Sequence, residues 1–136
     1  YDEIRTLRWR QIDLTKNNLT VGKSKTAAGT GRVIPLNARA TARMVLWAAC
    51  APDRKPEHYV FPRALDTPLT PTTRWEKAWQ NVLDVLARAD VRCRFHDLRH
   101  TAVTRMLEAG VPLSVVASLC GWSATTMTKM AKRTVT

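Results

Sequence analysis

The stretch Phe95-His96-Asp97-Leu98-Arg99-His100-Thr101 sets an imidazole and a guanidinium three residues apart. On a helix, side chains at i and i+3 share a face, so one anion can meet both His96 and Arg99. That pair suits a phosphate: the arginine supplies fixed charge, and the histidine donates to an oxygen or handles a proton. Downstream, Gly121-Trp122-Ser123 offers an indole N–H, a donor without acceptor capacity. Far upstream, Ser24-Lys25-Thr26 precedes Arg32-Val33-Ile34-Pro35-Leu36. Lys25 shares a glycine-flanked segment with Lys23 and Arg32, where a flexible cationic arm can reach a phosphate or a leaving oxygen. The expectation is that Lys25, His96, Arg99 and Trp122 line one basic concavity, with Lys25 at its rim and Glu3 close behind.

Each residue has a plainer reading. Taken alone, His96 and Arg99 fit a helix start with a solvated arginine. Context favours the phosphate: Leu98 and Ala102 are expected to face the core, with His96, Arg99 and Arg94 on the other side. His96 and His100 also have the H-x-x-x-H spacing of a zinc site. That motif wants glutamate as general base directly after the first histidine, and Asp97 stands there. His58 lies in a proline-flanked loop, so a zinc hydrolase is the remote alternative and no metal is expected. His100 is instead expected to pack its helix and bond a backbone carbonyl. The segment from Gly110 to Arg133 also reads as a helix-turn-helix. Its second helix offers only Lys129, Lys132 and Arg133 to a groove, and Met127 and Met130 look like packing residues.

Charge narrows the partner. Lys and Arg total 22 against 11 acidic residues, a formal charge of +11 over 136 residues. Such an excess favours a polyanion, and nucleic acid ranks ahead of a membrane because no basic amphipathic segment stands out. Cys50, Cys93 and Cys120 are widely spaced and odd in number, which argues for reduced thiols in a cytosolic-type compartment. No apolar run is long enough for a membrane span, and no signal peptide is recognisable. The chain starts at Tyr1, inside what reads as a helix, and looks cut from something longer.

The elements that must position these groups follow from spacing and turn chemistry. Ile4 and Leu7 have helical spacing in a segment that runs to Trp9. Gln11 to Leu14 and Leu19 to Gly22 flank the turn-rich Thr15-Lys16-Asn17-Asn18 as a hairpin, and Arg32 to Leu36 makes a third antiparallel strand. A helix over Ala38 to Ala51 carries Met44, Trp47 and Ala48 on one stripe. Thr70-Pro71-Thr72 reads as a helix start, followed by Trp75, Trp79, Val82 and Leu86 on one face. Helices over Phe95 to Ala109, Pro112 to Leu119 and Ala124 to Arg133 complete the chain, with Gly110 and Gly121 as breakers.

In order and spacing, Glu3, Leu7-Arg8-Trp9, Lys25, His96-Asp97-Leu98-Arg99-His100-Thr101 and Gly121-Trp122 resemble the catalytic domain of the tyrosine recombinases, the phage integrase family. The resemblance implies an α+β, mostly helical fold, with helices around a small three-stranded antiparallel sheet. It makes 1–136 a single partial catalytic domain, with the sheet over about 11–36 and helices over about 38–133. The implied chemistry is strand transfer on double-stranded DNA. A tyrosine attacks a phosphate, leaving a 3′-phosphotyrosyl link and a free 5′-hydroxyl, with no metal, nucleotide or other cofactor.

In that scheme Lys25 is general acid to the leaving oxygen, and His96 handles protons or donates to the phosphate. Arg99 and Trp122 stabilise the charge that grows on the nonbridging oxygens. Glu3 and His100 support them from behind, and Lys23, Arg32, Arg94, Lys129, Lys132 and Arg133 are expected DNA contacts. Two departures stand beside the matches. The family's first arginine would fall immediately ahead of Tyr1, and the tyrosine expected after Arg133 is replaced by Thr134. A threonine hydroxyl is far less acidic than a phenol of pKa about 10 and sits on a shorter arm. The chain is therefore expected to bind DNA and to be inactive alone. A synaptic homo-tetramer is expected only for the full-length protein on DNA, in the cytoplasm of a bacterial or phage-type host cell. A non-catalytic helix-turn-helix module is the alternative.

Overall fold

The computed structural model describes residues 2–134, with side chains described through 130. Helix α1 is a single turn, Asp2–Arg5. The longer helix expected through Trp9 gives way to backbone pairing. Val60 N–H donates to Leu7 O at 2.8 Å, Trp9 N–H donates to His58 O at 3.0 Å, and Arg8 bridges Tyr59. That pairing draws Leu7 and Trp9 into a core with Ala48 and Val60, against which Ile12, Leu19, Met44 and Phe61 pack. Burying two large side chains outweighs one more turn of helix, because apolar burial is worth about 25 cal/mol per Å².

The sheet has the order β1 (Ile12–Asp13), β2 (Asn18–Thr20), β3 (Val33–Pro35), all antiparallel. Leu19 faces Ile12 on one side and Ile34 on the other. Helix α2, Ala38–Ala49, starts where the Asn37 side chain accepts from Ala40 N–H at 2.8 Å, a good N-cap. It turns Met44 and Ala48 inward, and the Trp47 indole donates to Val60 O at 2.7 Å.

Helix α3 runs Trp75–Ala87 and does not begin at Pro71. Pro71 pairs with Pro62 instead, and Thr72 N–H donates to Phe61 O, so the segment before α3 is committed to extended pairing. The inner stripe is Trp75, Trp79, Leu83 and Leu86, whereas Val82 is half exposed. The rings of Trp75 and Trp79 meet Phe95 edge-on at 4.4 and 5.3 Å, joining α3 to α4.

Helix α4, Phe95–Glu108, ends at Gly110 with φ +78°, where Val111 N–H closes back on Met106 O at 2.9 Å. Its inner face is Phe95, Arg99, Val103 and Met106, and Leu98 and Ala102 are exposed. The expected orientation is therefore turned, and Arg99 belongs to the packed stripe. Helix α5, Leu113–Cys120, buries Val116 and Ala117, and α6 spans Ala124–Thr134. Met127 and Met130 on α6 are half buried. The fold is thus α+β with six α-helices and one small sheet among the described residues. None of these helices is long and apolar enough to cross a membrane.

Candidate functional site

The site is organised by the C-terminal end of α5. A helix leaves its last carbonyls without intrahelical partners, and here three consecutive ones are met by side chains from separate segments. Leu119 O accepts from Arg32 Nε at 3.0 Å, Cys120 O from Arg99 Nη2 at 2.6 Å, and Gly121 O from Thr26 Oγ1 at 3.2 Å. Cations at this negative end of a helix are favoured. Gly121 closes α5 in the left-handed conformation, φ +63°, ψ +38°, a geometry that suits glycine.

The loop between β2 and β3 is tied to this end. A Cβ on Gly121 would lie 2.7 Å from Gly29 Cα, so the two backbones approach this closely because residue 121 is glycine, while a Cβ on Gly29 would instead meet Ser24. Ser24 Oγ donates to Glu3 Oε1 at 2.5 Å, and Ser24 N–H donates to Thr30 Oγ1 at 3.0 Å. The expected free arm is therefore a pinned loop. Lys25 lies exposed between two anchored neighbours, Ser24 and Thr26.

Arg32 is the clearest correction. Its side chain is only 9% exposed and pairs with Glu3 Oε2 at 2.7 Å, so it does not present its charge to DNA. The same guanidinium also donates to Glu3 Oε1, to Gly29 O and to Leu119 O, so four of its five N–H groups are committed within the protein. The Glu3 carboxyl is held below its ordinary 4.5, chiefly by the Arg32 hydrogen bond; burial opposes, and Ser24 and the charges of Arg32 and Arg99 add to the lowering.

Beside this network lies a cleft of about 850 Å³ lined by Lys23, Lys25, His96, Arg99 and Trp122 together with Glu3, Ser24 and Thr26. Asp2, Arg5, Thr6, Cys120, Gly121, Ser123 and Thr126 complete its wall. Arg5 is matched by Asp2 at 3.4 Å, whereas Lys23, Lys25 and Arg99 meet no carboxylate within ion-pair distance among the described residues. Ser123 and Thr126 mark the first turn of α6 and bond each other at 3.1 Å, so the positive end of that helix borders the cleft. Burial pushes the Cys120 thiol up, against the pull of Arg99 and Arg32, so it stays protonated and is a poor nucleophile at neutral pH.

Other expected residues lie elsewhere. His100 is exposed, with its ring edge-on to His96 at 5.0 Å; it does not pack the helix interior as expected. Arg94 borders an adjoining groove with His96 and Arg99, but its guanidinium bonds Asp97 at 3.0 Å. Lys129 is exposed on α6 and does not line the cleft. The side chains of Lys132, Arg133 and Thr134 lie outside the described residues. No group of three His, Cys, Asp or Glu among the described residues is placed to hold a metal ion, so the zinc alternative finds no ligand set. Sequence reasoning missed Thr26, Ser123 and Thr126 in the wall. Their only signal was a hydroxyl next to Lys25 or next to the Gly-Trp pair, and such residues are common.

Fold and cleft together define the class: an α+β domain of the integrase catalytic type. The chain belongs to the phage integrase family, whose model matches residues 1–132. It is 29% identical over 130 residues to the integrase of Salmonella phage P22, covering 90% of this chain and 33% of that protein. It is 54% identical over 44 residues to an integrase of Saccharopolyspora erythraea, covering 32% of this chain and 10% of that protein. The chain thus spans a third or less of the curated relatives it matches. No solved structure matches it significantly.

Proposed function

We propose that this chain is the phosphate-holding portion of a site-specific recombinase or integrase catalytic domain, and that its cleft seats one phosphate of duplex DNA. A single observation carries the reading. Lys25, His96, Arg99 and Trp122 come from three separate stretches of sequence and line one cleft in which Lys23, Lys25 and Arg99 meet no carboxylate within ion-pair distance among the described residues. A packing role alone gives such residues no reason to converge.

The chemistry follows from the donors. When a phosphate is attacked in line, charge grows on its nonbridging oxygens, and donors fixed beforehand stabilise that state more than the ground state. Arg99 is held by Cys120 O through one nitrogen, which leaves other N–H groups to serve an oxygen. The Trp122 indole supplies a neutral donor and His96 a donor or proton carrier. Lys25, which lines the same cleft, protonates the departing 5′-oxygen as general acid. Thr134 stands where the resemblance places the tyrosine nucleophile, so the reading gives this chain binding and charge stabilisation without covalent cleavage. Lys23 and Lys129 add contacts to neighbouring phosphates, with Lys132 and Arg133 further along α6. Arg94 adds one at the adjoining groove when it releases Asp97. The family's synaptic assembly belongs to a longer protein on DNA.

Mobility-shift titration of the chain with duplex DNA tests this. Binding without strong sequence preference that weakens as salt rises is the expected result. No binding at low salt, or full affinity in Lys23→Ala, Lys25→Ala and Arg99→Ala alike, overturns it.

A further inference from the structure

We infer that Arg32 is a positioning residue: it clasps the 22–31 loop to α1 and to the end of α5, and so holds Lys25 in the wall of the cleft that Arg99 also lines. The inference rests on the reading of the cleft as a phosphate site and adds what determines its width.

The guanidinium points its donors in three directions at once. Nε meets Leu119 O at 3.0 Å, Nη1 meets Gly29 O at 2.7 Å and Glu3 Oε1 at 3.1 Å, and Nη2 meets Glu3 Oε2 at 2.7 Å. One planar group therefore joins α1, the loop and α5. Each residue flanking Lys25 depends on a part so joined: Ser24 bonds the carboxylate that Arg32 orients, and Thr26 bonds the carbonyl next to the end of α5. The Gly29–Gly121 contact is a second, independent sign that loop and helix end are built to touch. A lysine at 32 keeps the charge, but an ammonium is a compact point that cannot fork onto a carboxylate and also span two carbonyls.

The experiment separates positioning from charge. Arg32→Lys leaves the net charge unchanged, and Gly29→Ala removes no donor but sets a methyl 2.4 Å from Ser24 Oγ and 3.0 Å from Arg32 Nη1, which must shift. Each variant is digested briefly with trypsin in the native state, and cuts after Lys23 and Lys25 are compared with the cut after Lys16. Each is also titrated with duplex DNA, alone and combined with Lys25→Ala.

Loop cuts should rise on the order of tenfold while the Lys16 cut stays constant, as expected of a local opening. Affinity should fall by about tenfold, the scale of one charged hydrogen bond. Combined with Lys25→Ala, it should fall no further than in the worse single variant. Additive losses, or equal acceleration at Lys16, would show general loosening and overturn the inference. If Arg32→Lys does not fold, Gly29→Ala decides, and its failure to open the loop also overturns it. A Lys25→Ala chain with full affinity, beside loop cuts that still rise in Arg32→Lys, removes the phosphate from Lys25 but upholds the clasp.

Discussion

Replacing Lys25 by alanine should change the salt dependence of DNA binding by a predictable amount. Three cations of the cleft, Lys23, Lys25 and Arg99, have no carboxylate within ion-pair distance among the described residues. If each neutralises one phosphate, together they contribute about −2.7 to the slope of log affinity against log salt, at about −0.9 per phosphate. Over a fourfold rise in salt, from about 50 to 200 mM, that share weakens binding by about 40-fold. Lys25→Ala should reduce the share to about −1.8, and the same rise in salt then costs only about 12-fold. Fluorescence anisotropy with a labelled duplex across that range reads the slope directly. Lys16 sits in the β1–β2 turn, at the end of β2 remote from the 22–31 loop, and serves as control. Lys16→Ala should leave the slope unchanged. A slope unaltered by Lys25→Ala, or reduced equally by Lys16→Ala, would refute the placement of the phosphate.

The remaining expectations concern stability, pH and chemistry. Gly121→Ala should destabilise by about 1–2 kcal/mol for its left-handed backbone, plus a packing penalty of about 1 kcal/mol or more from the 2.7 Å approach to Gly29. Gly110→Ala, at φ +78° with open space around it, should show the backbone part alone when both are compared by urea unfolding. Because folding lowers the Glu3 carboxyl, its contribution is fully present above its unfolded value near 4.5 and is lost as pH falls through the lower folded value. Acid melts of Glu3→Gln should therefore lack part of the stability rise in that window, and identical acid limbs would contradict the pairing. Incubated with nicked duplex DNA, the unaltered chain should give no SDS-resistant, protease-sensitive band; such a band would place the nucleophile at another residue.

How much of this was legible depends on the range over which each residue's environment is set. The strands and helices of the second half were readable because turn residues and helix breakers act locally: Asn17 takes φ +52°, and Gly110 and Gly121 sit at positive φ after their helices. The early ends of α1 and α3 were not, because distant backbone pairing decides them, Leu7 with Val60 and Thr72 with Phe61. The inner face of α4 was misjudged for a related reason. Leu98 looks like core and Arg99 like surface until a carbonyl from α5 is there to hold the guanidinium. His96, Trp122, Lys25 and Glu3 could be named from residue type and order as sharing one cleft, but the bonds by which Ser24, Thr26 and Arg32 tie Glu3 and the end of α5 together could not, since their partners lie up to 95 residues away in the chain.

The charge of +11 marks the partner class but does not count DNA contacts. Several of the arginines that produce it are already engaged by the protein's own groups. Arg8 lies over the Tyr59 ring at 4.3 Å, Arg54 lies over the Trp9 ring at 4.8 Å, and Arg32 is closed around Glu3. Guanidinium groups suit this work because they stack and fork where an ammonium cannot. The two lysines of the loop are exposed, line the cleft and meet no carboxylate within ion-pair distance among the described residues. Arginine thus builds part of the wall behind the cleft, and Arg99 is tied to Cys120 O on one side and lines the cleft on the other. Arg99→Lys should therefore be nearly as damaging as Arg99→Ala in DNA titrations, because a lysine keeps the charge but cannot hold the carbonyl and the phosphate together. A lysine that restores full affinity would show that charge alone is needed at this position.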